Sequence, residues 1–178
     1  MKIIIAPNSI LSQKAKPVKK TDKKLLEGMK KTLLSAKDPE GVGLAAPQVE
    51  IPQSIFIIKP APKSSIRVFI NPQISDEGGE VSKMETRKSP RKRLEGCLSL
   101  PNIWGEVKRK NFITLSFSDE KGKLHTKEFK GFLATIIQHE MDHLNGILFT
   151  ERVLEQNGIL YKSHKDKKGE AVFEELEI

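Results

Sequence analysis

Sulfur chemistry has little to work with in this chain. Among its 178 residues there is one cysteine, Cys97, so no disulfide can form within it. Aromatic residues are few, with one Trp and one Tyr. Long apolar runs are missing; the longest are short, such as "SIFII", and none approaches the roughly eighteen residues of a membrane span. The opening "MKIIIAPNSI" has too short an apolar segment for a signal peptide and no small-residue cleavage site after one. No repeat or low-complexity block stands out. These absences turn the reading away from disulfide-stapled, membrane-spanning and solenoid classes. A single-domain cytoplasmic protein spanning 1–178, with no membrane contact, is expected.

Acidic residues are also in the minority. Lys and Arg number 31 against 23 Asp and Glu, which gives a formal charge of +8. That balance suits a polyanionic partner, or solubility alone. The excess lies in the lysine-rich stretch from Lys14 to Lys31 and in "TRKSPRKR", where five bases fall between Arg87 and Arg93.

Periodicity predicts the elements. "TDKKLLEGMKKTLLSAKD" reads as a helix with Leu25, Leu26, Met29, Leu33 and Leu34 on one face, capped by Thr21 or Asp22 and followed by Pro39 and Gly41. "SIFIIK" and "IRVFI" read as strands. "SDEGGEVSKMETRKSPRKR" reads as a polar loop with at most one strand. "NFITLSFSDEKGKLHTKEF" alternates around a Gly-containing turn and reads as a hairpin. A second helix opens at Gly131 and ends at Asn145-Gly146; Phe132, Leu133, Ile136, Ile137, Met141 and Leu144 make it apolar nearly all round, hence central and buried. "ILFTERV" reads as a strand, and the remainder gives one or two more. The expected architecture is α+β, with antiparallel sheets packed around the second helix.

That helix carries the chemistry. "QHEMDH" spans 138–143, and His139 and His143 are spaced i, i+4, so both can grip one ion from the same face. A catalytic metal site usually has three protein ligands and an open position. The extended zincin pattern would put a third histidine where this chain has Phe149, and no later residue is a convincing ligand; Glu151 falls in the "ILFTERV" stretch. Upstream, Cys97 in "LEGCLSLP" supplies a thiolate, and one thiolate with two imidazoles suits zinc or ferrous iron. Cys97 is therefore the expected third ligand.

Three segments in order, "GVGLAAPQ" (41–48), "EGCLS" (95–99) and "QHEMDH" (138–143), resemble the signature motifs of peptide deformylases. The resemblance implies a hydrolase that removes the formyl group from the N-terminal methionine of new polypeptides. It implies metal ligation by Cys97, His139 and His143, with Fe(II) as the usual native ion and zinc or nickel as substitutes. It implies Glu140 as general base and acid, and an oxyanion held by the Gln48 side-chain amide and the Leu98 N–H. Gly41, Val42, Gly43 and Leu44, with Glu95 and Gly96, are expected along the substrate peptide, which would pair with the first segment as an added strand. Glu95 could instead support the ligands by hydrogen bonds, or serve only its own loop. Asp142 lies off the ligand pair and is expected to meet a base such as Arg109. His125 and His164 are expected at the surface, and Trp104 either at the rim of the methionine pocket or in ordinary packing. A monomer acting on formylmethionyl nascent peptides is expected.

Two features depart from the best-known bacterial pattern. The Arg87 to Arg93 loop could touch ribosomal RNA or be merely solvated. The last nine residues, "EAVFEELEI", hold four acids and no base, so they read as a final strand or short extension and not as a basic ribosome-docking helix. Two other functions use the same residues: a metallopeptidase of different specificity, and a basic RNA-binding domain with a structural metal. The latter would need a fourth protein ligand, for instance His125 or His164.

Overall fold

The computed structural model describes residues 1–36, 40–81 and 94–177. Pro39 and the basic stretch from Arg87 to Arg93 lie outside them. The architecture is a single-domain α+β fold. Three helices, α1 (Lys23–Ser35), α2 (Phe132–Leu144) and α3 (Phe149–Glu155), pack with two antiparallel sheets. The larger sheet has the order β1-β2-β3-β6-β7: β1 (Gly43–Ala45), β2 (Ile55–Ile58), β3 (Arg67–Val81), β6 (Lys110–Ser118) and β7 (Leu124–Lys130). The smaller has the order β4-β5-β8-β9: β4 (Glu95–Cys97), β5 (Leu100–Gly105), β8 (Leu160–Lys165) and β9 (Ala171–Glu175).

The run "IFII" of β2 explains the layering. All four side chains are buried, because the strand is covered on both faces. Phe56 and Ile58 join Phe69, Ile113, Leu115, Ala134 and Ile137 in the core that seats α2. Ile55 and Ile57 join Leu26, Met29 and Leu33 in the core beneath α1. The expected α1 stripe holds at those three leucine and methionine positions, whereas Leu34 is 57% exposed. Asp22 is the cap: its carboxylate accepts the Lys24 N–H at 2.8 Å. The hairpin β6–β7 turns through Asp119 to Lys123, with Gly122 at φ 80°.

One expectation needs correcting. "ILFTERV" is not a strand; it enters α3. Phe149 and Val153, four apart, are both buried against Cys97 and Leu160, and Glu151 turns back to accept the Leu148 N–H at 2.9 Å. That contact closes the first turn of a helix. It also commits Glu151 to its own helix and removes it from any metal site. In the described part of the polar stretch, the one strand allowed for is present: β3 runs on to Val81 against β6 through three register shifts. The C-terminal expectation holds as a strand, β9.

Candidate active site

Two of the motif segments are brought together by the chain start. The Ile4 N–H donates to the Gln48 carbonyl and the Ala6 N–H to the Ser99 carbonyl, each at 2.9 Å. Helix α2 supplies the third segment. Nine of its thirteen residues are buried, polar ones included: Gln138, Glu140, Asp142 and His143. Buried polar groups on a helix need partners, and here most have them.

Cys97, His139 and His143 converge, with one donor atom from each lying within 4.8 Å of the others. Cys97 Sγ and His143 Nε2 are 3.2 Å apart. His139 Nδ1 lies 2.9 Å from Glu95 Oε2. A carboxylate only accepts, so Nδ1 carries the proton and Nε2 is the nitrogen left for the cluster. Among the described residues these three form the one cluster able to hold a metal. His125 pairs with Asp119 at 2.8 Å and His164 lies 3.8 Å from Glu174, so neither offers a fourth ligand.

The electrostatics suit a cation. Burial pushes the Cys97 thiol up, but the charge and hydrogen bonds of His143 and His139 outweigh it and bring the thiol down to about 5. The Ser99 N–H and the Gln48 amide also face the sulfur, each at 3.4 Å. Burial drives His139 down, but its bonds to Cys97 and Glu95 win and raise it well above the usual imidazole range. Glu95 shows the same contest. Burial pushes it up, yet the Arg109 guanidinium, with His139 helping, holds it at about 2. Two buried atoms have no partner among the described residues, Glu140 Oε2 and His143 Nδ1. A thiolate, two imidazole nitrogens and an unpartnered carboxylate oxygen next to them fit a divalent cation with water beside it.

Glu140 is pushed up to about 7, first by burial, then by the nearby Cys97 and Glu95, with the His139 and His143 charges pulling the other way. Its carboxylate fits because position 43 is glycine. A Cβ there would stand 2.1 Å from Glu140 Oε1. Gln48 sits on a 3-10 turn, Ala46–Val49, and is 2% exposed. Its Oε1 accepts the Ala45 N–H at 2.9 Å, which aims Nε2 at Ser99 Oγ (3.2 Å) and Cys97 Sγ. Leu98 occupies the turn between β4 and β5, and β1 carries Gly43 and Leu44 at the edge of its sheet. Gly41 packs on α1, where a Cβ would meet Leu33 at 2.8 Å, and Val42 packs against the α2 core. Gly96 is covered by the Trp104 ring, which a Cβ would meet at 2.8 Å. Trp104 is thus a packing residue: its Nε1–H donates to Ser163 Oγ and its ring lies edge-on to Phe173.

Both Glu95 oxygens are engaged, by Arg109 Nε and Nη2 at 2.9 Å each and by His139. That favours ligand support over contact with substrate. Asp142 does meet Arg109, and Arg152 of α3 as well, at 2.8 Å. Sequence reasoning gave no role to Ser99, although it sits inside "EGCLS", and none to Arg152. Arg109 is expected from the sequence only as a partner of Asp142, and its fork on Glu95 has no sequence signal.

A family model described as polypeptide deformylase matches residues 1–158. The chain is similar to the peptide deformylase of Borreliella burgdorferi, 38% identical over 151 residues, covering 85% of this chain and 86% of that protein. It is similar in structure to peptide deformylase from Thermus thermophilus, with TM-score 0.73, 38% identity and coverage of 84% of this chain and 83% of that one. A peptide deformylase from Synechococcus elongatus, solved in complex with actinonin, gives TM-score 0.73 at 35% identity, covering 85% and 79%.

Proposed function

Because the chain belongs to the peptide deformylase family, and is therefore a hydrolase that removes the N-formyl group from nascent peptides, we propose that it does so at the Cys97, His139 and His143 cluster with Glu140 as the proton carrier. The observation that carries this reading is the unpartnered Glu140 carboxylate buried beside three convergent donor atoms.

Cys97, His139 and His143 would hold one divalent cation, Fe(II) in the native enzyme with zinc or nickel as substitutes. Such an ion, when bound, lowers the pKa of a coordinated water from about 15.7 toward neutrality and polarises a carbonyl. The rest is done by the chain. Glu140, pushed up toward neutrality by burial, can take a proton from the attacking water and return one to the leaving amine. Gln48 Nε2, aimed by its Oε1 bond to Ala45, donates to the oxygen that gains charge, and the Leu98 N–H is the second donor. Losing one such donor costs about 100- to 1000-fold in rate. The substrate backbone pairs with β1, which has a strand on one side only, while β4 is likewise an edge strand of its sheet. Gly43 and Leu44 would lie along it.

The partners are formylmethionyl nascent peptides, met as a monomer in the cytoplasm. Ribosome contact would use the exposed lysines between Lys14 and Lys31; Lys30 among them is half-buried and paired with Glu27 and Glu120. No helix among the described residues is long and apolar enough to cross a membrane.

The test is formate release from a formyl-Met tripeptide by protein purified without oxygen, before and after adding Fe(II) or Ni(II). Metal-dependent formate, absent in Glu140→Ala, is expected. Cleavage of unformylated or internal peptides without formate would instead identify a metallopeptidase.

A further inference from the structure

Between β5 and β6 the chain runs Lys108-Arg109-Lys110. The two lysines are exposed, and Arg109 between them is 6% exposed. The backbone on each side of it is clasped by a glutamine. Gln156, at the end of α3, accepts the Lys108 N–H at 2.8 Å and donates Nε2 to the Lys108 carbonyl at 3.3 Å. Gln138 of α2 accepts the Lys110 N–H at 3.0 Å and donates to the Lys110 carbonyl at 2.9 Å. A side-chain amide that pairs with both the N–H and the C=O of one residue copies one step of a β-ladder. The strap is thereby tied to two helices.

From this strap Arg109 turns inward. Nε and Nη2 form a two-point fork on Glu95, and Nη1 bonds Asp142 Oδ2. Asp142 is gripped from the other side by Arg152, with Nη2 at 2.8 Å and Nε at 3.2 Å from Oδ1. Burying this many charges is a poor route to stability, since apolar residues of similar volume often do as well. The direction of the chain of bonds points elsewhere. It ends at Glu95 Oε2, against the nitrogen of His139 that does not face the cluster. A carboxylate there fixes both the ring orientation and which nitrogen carries the proton.

We propose that Asp142, held between Arg109 and Arg152, and the strap clasped by Gln138 and Gln156 form a positioning device that sets metal affinity by fixing Glu95 against His139. The proposal rests on the reading that Cys97, His139 and His143 hold the ion. Asp142 neighbours His143 along α2, but its side chain bonds Arg109 and Arg152 and no side chain of the cluster. It acts through Arg109, whose fork holds the Glu95 carboxylate in plane.

The experiment is a Co(II) titration of the metal-free full chain, followed by the thiolate-to-cobalt absorption band. It uses wild type, Asp142→Asn, Glu95→Gln and the double variant. Wild type is expected to take up one Co(II) per chain. Each single substitution is expected to weaken binding by about 10- to 100-fold. The double variant is expected to be no weaker than the weaker single, because both act through one carboxylate. Unchanged affinity in Asp142→Asn, or losses that multiply in the double variant, overturn the proposal. Should Asp142→Asn fail to fold, Arg152→Met runs the same cycle from a half-exposed position. A smaller loss that disappears in the Glu95→Gln background is expected there. No loss, or one undiminished in that background, overturns the proposal. A wild type that takes up no cobalt overturns the metal centre itself and the inference with it, so the two failures are told apart.

Discussion

Among the described residues, two histidine–carboxylate hydrogen bonds are of nearly equal length. His139 Nδ1 lies 2.9 Å from Glu95 Oε2, and His125 Nε2 lies 2.8 Å from Asp119 Oδ2. Their carboxylates are even held at the same level, about 2. The surroundings differ entirely. Glu95 is buried, which pushes it up, and it is brought down by a forked guanidinium; the second nitrogen of its histidine is left for a thiolate and another imidazole. Asp119 is solvated and lowered first by the His125 bond; its other oxygen accepts the Lys121 and Lys123 N–H groups, and the His125 ring lies over Phe117 at 5.3 Å. One bond holds a ring of the candidate metal cluster, and the other closes a hairpin. The contact itself is silent on function. What the remaining nitrogen faces, and what braces the carboxylate, decide it.

The comparison breaks most sharply at Glu140, the acid that braces nothing. Glu140→Ala is expected to keep its metal and to lose about 100- to 10,000-fold in formate release. Metal content and rate measured on one preparation check this, and a near-normal rate would remove Glu140 from the mechanism. Gly43→Ala comes next. The new Cβ would overlap the Glu140 carboxylate at 2.1 Å and displace it. An ångström of misplacement can cost about 100-fold, so that loss is expected in kcat with metal content unchanged. Retained kcat would mean that the carboxylate has room to spare. The two pairs are then set against each other directly. Glu95→Gln is expected to weaken metal binding by about 10- to 100-fold, and Asp119→Asn to leave it unchanged. Equal effects would erase the distinction drawn above.

Much of the fold was legible because its signals are local. The α1 stripe of Leu26, Met29 and Leu33, the apolar positions of α2 from Phe132 to Leu144 and the alternation of β6 and β7 each repeat over enough residues to fix a period. Helix α3 was misread because seven residues are too few: Phe149 and Val153 are as compatible with every second residue as with one helical turn. The polar half of β3 was hidden because its register rests on bulges near Gly78 and Gly79, with Gly79 at φ 80°. The candidate pair His139 and His143 is legible from an i, i+4 spacing, and Cys97, which converges with them, from its motif. The bracing was not. Arg109 reaches Glu95 across 14 residues and Asp142 across 33, and Gln156 reaches Lys108 across 48. No periodicity links such positions, and a base between two lysines looks solvated until the backbone around it is seen to be clasped.

The weakest expected effect concerns the half-buried hairpin pair alone, and it is one of stability against pH. The Asp119 carboxyl, ordinarily near 3.8, is lowered to about 2 when folded. A lowered acid binds its proton less readily folded than unfolded. Its contribution is therefore fully present above pH about 4 and fades as pH falls toward about 2. Asp119→Asn keeps an oxygen for the Lys121 and Lys123 N–H groups but gives up the charge facing His125. Thermal unfolding across this range, for wild type and variant together, isolates the effect, since every other carboxylate titrates in both. The variant is expected to be less stable above pH about 4, with the gap closing below it and shrinking in high salt, as for any solvated pair. A gap that stayed constant with pH would show that the turn bonds, and not the charge, are what Asp119 supplies. The hairpin would then differ in kind from the active site, where the proposal gives the orienting of His139 to the Glu95 carboxylate.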